Sequence, residues 1–143
     1  MSVKQISVFL ENKPGSLCHM TKVLADSGID MRAFSLAEAS DFGIARLIVN
    51  DVYLTSTVLK ENGFVLAVAN VLAVAMPDAP GGLAHVLACL QDANVNVEYI
   101  YAFTSDKPGQ AYMILRPDDE TAAMKALRAA GIRQVEQEEL SEM

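Results

Sequence analysis

The sequence predicts an α+β fold of two related βαββαβ units, each an antiparallel sheet with its helices on one face. Three observations carry that prediction. The 143-residue chain repeats itself at an offset of 66 residues. Each repeat opens with a short β-branched run that ends at a Pro-Gly pair and passes into a segment of helical period. Each then continues through a hairpin, a second helix closed by glycine and a final strand.

The offset sets Pro14-Gly15-Ser16-Leu17-Cys18-His19 on Pro80-Gly81-Gly82-Leu83-Ala84-His85. It also pairs Val8 with Val74, Leu24 with Leu90, Asp26 with Asp92, Gly43 with Gly109, Ala45 with Ala111 and Ile48 with Ile114. Beyond Asn50 it becomes 68, pairing Leu59 with Leu127 and Gly63 with Gly131. The expected units are residues 1–69 and 70–143.

Within each unit the elements follow in order. Gln5–Leu10 and Val71–Met76 read as buried strands, ended by Pro14 and Pro80. Ser16 is the expected N-cap of the first helix. Leu17, Met20 and Leu24, and then Leu83, Val86, Leu87 and Leu90, form the apolar stripes of the first helices. Gly28 and Asn94 suit left-handed helix ends. Hairpins are expected from Asp30–Glu38 to Gly43–Asn50 and from Asn96–Thr104 to Gln110–Arg116, with turns at 39–42 and 105–109. Asp51 and Asp118 sit where second helices begin, and Gly63 and Gly131 where they stop. Last strands are expected at Phe64–Val68 and, more weakly, at Arg133–Glu138. This order is the ferredoxin-like split βαβ. A unit of about 65 residues buries a small fraction of its surface, so the two are expected to pack together.

Composition limits the partners. Lys+Arg 11 against Asp+Glu 18 leaves a net charge of −7, which argues against nucleic acid. The longest nearly unbroken apolar run, Phe64–Met76, contains Asn70 and is shorter than the roughly 20 residues a membrane helix needs, so no membrane partner is expected. The N-terminus shows no secretory pattern, which sets the expectation of a cytoplasmic protein. Cys18 and Cys89 are too few for a disulfide framework and read as reduced, packed helix residues. Met20, Met31, Met76, Met113 and Met124 read as core gap-fillers.

The repeated loop carries the strongest chemical signal. Free N–H groups at a helix start attract an anion, and glycine lets a ligand approach the backbone. Asn12 can donate and accept, and Asp78 can pair with an ammonium, so a zwitterionic amino acid suits the two loops. The competing reading is a strand-to-helix turn that Pro-Gly shapes and Asn12 or Asp78 caps.

The order of short strand, Asn12-Lys13-Pro14-Gly15-Ser16-Leu17, amphipathic helix and Gly28-Ile29-Asp30-Met31 resembles the ACT domain. Asp78-Ala79-Pro80-Gly81-Gly82-Leu83 with Asn94-Val95-Asn96-Val97 resembles it again, so the likeness spans almost the whole chain. The resemblance implies tandem ACT domains without an attached enzyme, binding a small ligand, usually an amino acid, at an interface between two such domains. It implies ligand-binding roles for Asn12, Pro14, Gly15, Ser16, Leu17, Ile29, Asp30 and Met31. In the second unit it implies the same for Asp78, Gly81, Gly82, Leu83, Val95, Asn96 and Val97. Asp78 stands where Asn is common, and Asn94 where Gly is.

Other clusters read as structure. His19 and His85 occupy equivalent helix positions, and neither has further metal ligands at suitable spacing. Asp118-Asp119-Glu120 after Pro117 reads as helix capping. The acidic run 136–142 reads as a solvated edge and tail. No metal, cofactor or catalytic constellation is expected. The leading expectation is a non-catalytic amino-acid sensor, a homodimer read out by a metabolic enzyme or regulator. The alternative is a dimerisation or docking module for a metabolic enzyme that binds no ligand. An acylphosphatase-like hydrolase would need a phosphate-binding arginine in the first loop, where Lys13 is the only cation and the second unit has Ala79.

Overall fold

A computed structural model describes residues 2–103 and 107–142. Main-chain contacts divide it into two compact units, Lys4–Ala69 and Asn70–Ser141. The elements run β1 (Val3–Glu11), α1 (Ser16–Asp26), β2 (Met31–Ala39), β3 (Phe42–Val49), α2 (Val52–Glu61) and β4 (Val65–Pro77). They continue with α3 (Gly82–Asp92), β5 (Val97–Phe103), β6 (Gln110–Pro117), α4 (Glu120–Ala129), β7 (Arg133–Gln134) and α5 (Gln137–Glu142). The two strands expected at Phe64–Val68 and Val71–Met76 are one continuous strand, β4, because the backbone stays extended through Asn70.

In the first unit β1 lies between β3 and β4, and β2 pairs outside β3. In the second, β4 lies between β6 and β7, and β5 pairs outside β6. Strands β1 and β3, β2 and β3, β4 and β6, β4 and β7, and β5 and β6 pair antiparallel. Alternate residues of each strand face the helices, as the pleat demands. Ile6, Val8 and Leu10 meet Met20 and Leu24 of α1 and Leu59 of α2 in one core. Leu72, Val74 and Met76 meet Val86 and Leu90 of α3 and Leu127 of α4 in the other. Met31, Met113 and Met124 pack partly buried against these cores.

Strand register corrects the repeat. Ile6 pairs with Leu47, whereas its counterpart Leu72 pairs with Leu115, so the offset is already 68 in the third strand of each unit. Gly43, Ala45 and Ile48 therefore correspond to Ala111, Met113 and Arg116, and the two extra residues lie in the second hairpin's turn. A two-residue slip leaves every side chain on its original face, so the apolar alternation conceals it. The first turn is Ser40-Asp41, with Ser40 at φ 55°. Thr104, Ser105 and Asp106 of the second expected hairpin lie outside the described residues, and Lys107-Pro108-Gly109 leads into β6.

Helix ends show two designs. Asp51 caps α2 by accepting from Leu54 N–H at 3.0 Å, and Asp119 caps α4 by accepting from Ala122 N–H at 3.0 Å. Asp118, expected at that helix start, instead accepts from Asn96 N–H at 3.0 Å, because the shifted register places it one residue earlier. Gly15, not Ser16, is the N-cap of α1, and Gly81 is that of α3. Asn94 takes the left-handed end of α3 at φ 57°, as Gly28 does for α1 at φ 71°.

The C-terminal run is also different from the expected strand and solvated tail. β7 has two residues, and α5 follows with Leu140 fully buried. Arg133 Nη1 donates to both carboxylate oxygens of Glu139 at 2.9 Å, and Arg133 Nη2 donates to Tyr112 Oη at 3.1 Å. Both effects raise the Arg133 pKa, the Glu139 hydrogen bond most. Ala75 pairs with both Tyr112 and Arg133, so this network lies on the sheet face away from α3 and α4. Among the described residues no helix is long and apolar enough to cross a membrane.

Replacing Asp119 with Ala should cost about 1 kcal/mol, the usual value of a lost side-chain cap. Leu140→Ala should cost about 3 kcal/mol, as a fully buried leucine does. Urea unfolding of the full chain measures both, and a Leu140→Ala cost near zero would return 136–142 to a solvated tail.

Candidate functional site

β1 and β4 end at Glu11 and Pro77, three residues before Pro14 and Pro80, which instead lie in the turn that follows, and the next glycine turns the chain into a helix. Gly15 has φ 92° and Gly81 φ 90°, a region that penalises residues with a Cβ. Neither helix start receives a side-chain cap, in contrast to α2 and α4. The first-turn N–H groups of α1 and α3 thus lack the side-chain acceptor that Asp51 and Asp119 supply elsewhere.

Each loop is tied to the hairpin turn of its own unit. Asn12 N–H donates to Asp41 O at 2.9 Å, and Asp78 N–H donates to Gly109 O at 2.9 Å. Asn12 Nδ2 adds a bond to Ser40 O at 3.0 Å. Asp78 has no side-chain N–H to make such a bond, and its residue is exposed. Asn12 is therefore a brace for the loop, while Asp78 keeps a carboxylate at the surface.

Repeat-related clefts lie beside the two loops. The first, of 460 Å³, is lined by Pro14, Gly15, Ser16 and His19 from the loop and α1, and by Gly63, Phe64 and Val65 between α2 and β4. The second, of 620 Å³, is lined by Pro80, Gly81, Gly82, His85, Gly131, Ile132 and Arg133. Each residue named for the first has its counterpart in the second, at 66 residues in the loop and at 68 beyond the hairpin. A smaller 240 Å³ cleft on the first unit holds Asn12 and Leu17 with Leu36 and Gly43.

The remaining expected site residues lie elsewhere. Ile29, Asp30 and Met31, and likewise Val95, Asn96 and Val97, follow the far ends of α1 and α3. An 11-residue helix is about 16 Å long, so one amino acid cannot touch both ends within a unit. Ile29 and Val95 are buried, and Asp30 carries an ion pair with Arg32 at 2.7 Å. Asp30 N–H donates to Asn50 Oδ1 at 3.1 Å, the equivalent of the Asn96–Asp118 bond, so these segments brace β2 and β5. A separate 530 Å³ cleft is lined by Val95, Asn96 and Val97 together with Asn94 and Asp118.

The turn between second helix and last strand walls the loop clefts, with no chemical motif in the sequence to mark it. The pairing of Gly63 with Gly131 was its one visible signal. His19 and His85 are both exposed, and His19 lies against Phe64 with ring centroids 5.2 Å apart. Cys18 is exposed rather than packed, because it falls on the outer side of the first turn of α1, and Cys89 is half-buried. Among the described residues no group of three or more His, Cys, Asp or Glu could hold a metal ion.

The model of a family described as an ACT domain pair matches residues 1–143. The chain belongs to that family. ACT domain pairs are related to regulatory, amino-acid-binding domains. Among solved structures, protein BT0572 from Bacteroides thetaiotaomicron is 35% identical, with 100% of this chain and 98% of that one covered and a TM-score of 0.93. The ligand-free regulatory subunit of aspartate kinase from Thermus thermophilus is 17% identical, covering 89% of this chain and 91% of that one at a TM-score of 0.65. The corresponding subunit from Thermus flavus is 19% identical, covering 90% and 92% at 0.59. With these two subunits the likeness is one of fold. No match was found among curated proteins.

Gly82 tests how tightly the second ACT loop is built. A Cβ on it would lie 2.4 Å from Pro77 O, so the first turn of α3 packs directly on the end of β4. Gly82→Ala should cost about 2 kcal/mol through backbone displacement. Ser16→Ala at the equivalent position should change stability by less than about 0.5 kcal/mol. Urea midpoints of the two variants check this pair, and equal effects would contradict it.

Proposed function

We propose that this protein is a non-catalytic amino-acid sensor that holds its ligand at a Pro-Gly loop and passes the bound state to a metabolic enzyme or regulator. The observation that carries this reading is the contrast in helix starts. α2 and α4 are closed by Asp side chains, whereas α1 and α3 open on left-handed glycines beside clefts. Uncapped N–H groups and the helix dipole favour a carboxylate. Membership of the ACT domain pair family supports an amino acid as its bearer. The ligand regulates by binding one arrangement of the protein more tightly than another, and can shift the balance by no more than that difference.

A docking module without ligand is the second reading, favoured by the apolar surface of the first unit. Phe34 and Leu36 are 41% and 47% exposed on β2, which forms an edge of the sheet. An exposed apolar edge strand invites a partner. We assign this edge to self-association of a homodimer, so both readings share it and the ligand separates them.

Calorimetric titration and thermal unfolding with each standard amino acid at millimolar concentration decide between them. The sensor should gain about 2.7 kcal/mol of stability at a ligand concentration a hundredfold above Kd. Absence of heat and of any thermal shift with every amino acid would sink the sensor and leave the docking module.

A further inference from the structure

The loop clefts share a backbone plan and differ in the side chains that fill it. In the first unit the rings of His19 and Phe64 pack together, and Glu11 and Lys13 at the rim form an ion pair at 3.1 Å. A ligand entering there has to part the ring pair, whereas the exposed ion pair presents little barrier. In the second unit those four positions hold His85, Ile132, Pro77 and Ala79, and Gly82 replaces Ser16. The cleft grows from 460 to 620 Å³, and its rim loses both members of the ion pair.

We infer that the second unit's cleft is the ligand site, that the first unit's is obstructed by its His19–Phe64 ring pair, and that the second unit's cleft takes a free amino acid with an apolar side chain. This rests on the sensor reading and sharpens it in two respects: which loop binds, and which class of side chain. Met76, Pro77, Ala79, Val86 and Ile132 supply an aliphatic wall. His85 and Gln110 line the same cleft and offer polar groups to the ligand's carboxylate and ammonium. Both clefts have the volume of a small-molecule pocket, so the side chains that line them, not their size, favour the second. Charged side chains are disfavoured, because Arg133, the cation that lines the cleft, is already engaged by Glu139 and Tyr112, and the rest of the wall is aliphatic.

The test uses the full chain labelled with nitrogen-15, with each standard amino acid added singly at millimolar concentration while backbone amide resonances are followed. Leucine, isoleucine, valine, methionine or phenylalanine should move the amides of Gly81, Gly82 and Gly131 and leave those of Gly15 and Gly63 in place. Ile132→Phe, which rebuilds the first unit's His–aromatic pair, should weaken that binding about tenfold or more. His85→Ala, at an exposed position, serves as a second variant if Ile132→Phe does not fold, and should weaken binding about fivefold. Shifts at Gly15 and Gly63, shifts confined to Val95, Asn96 and Val97, binding restricted to charged amino acids, or unchanged affinity in a folded variant would each overturn the inference while the sensor stands. No shift with any amino acid would remove the sensor reading itself.

Discussion

A single backbone requirement organises each unit: the glycine after proline must enter the left-handed region before the first helix can begin. With Gly15 at φ 92° and Gly81 at φ 90°, the chain leaves its strand and turns back across the sheet. Met20 and Leu24 then reach Ile6 and Val8 in one unit, and Val86 and Leu90 reach Leu72 and Val74 in the other. Each such buried side chain contributes about 2 kcal/mol. The same glycine has no side-chain oxygen with which to close the helix it starts. Packing and an open helix terminus therefore follow from one residue.

The second half of each unit uses the opposite solution. Asp51 and Asp119 satisfy the starts of α2 and α4, and Asn50 and Asp118 reach across to brace the starts of β2 and β5. These local side-chain bonds hold the end of each unit remote from the Pro-Gly loop. The loop end is held by backbone bonds to the hairpin turn, with Asn12 adding a side-chain bond in the first unit. Side chains at the loop end are thus freer to diverge, and the two clefts have done so around a shared backbone.

Much of this was legible in the sequence because it is local. The Pro-Gly pairs, helical stripes and terminal glycines mark elements by short-range sterics and periodicity, and the structure contains the elements they mark. The two-residue insertion escaped because strands repeat every two residues, so Ala45 aligns as well with Ala111 as with Met113. α5 escaped because a six-residue acidic helix has too few turns to show a period, and its one buried anchor is Leu140. At the site, the loops could be read directly. The wall formed by Phe64 or Ile132 could not, since only tertiary folding brings the end of α2 or α4 beside the first helix. The bond from Asn12 to Ser40 spans 28 residues and was hidden for the same reason.

The central claim is that an amino acid supplies the cap that the glycine-led helix start lacks. Amide hydrogen exchange at Leu83 and Ala84, in the first turn of α3, tests it most directly. Addition of an amino acid that binds should slow exchange at these two amides while Leu54 and Ala122, already capped by Asp51 and Asp119, keep their rates. Unchanged exchange at Leu83 and Ala84 with the protein saturated would contradict the account.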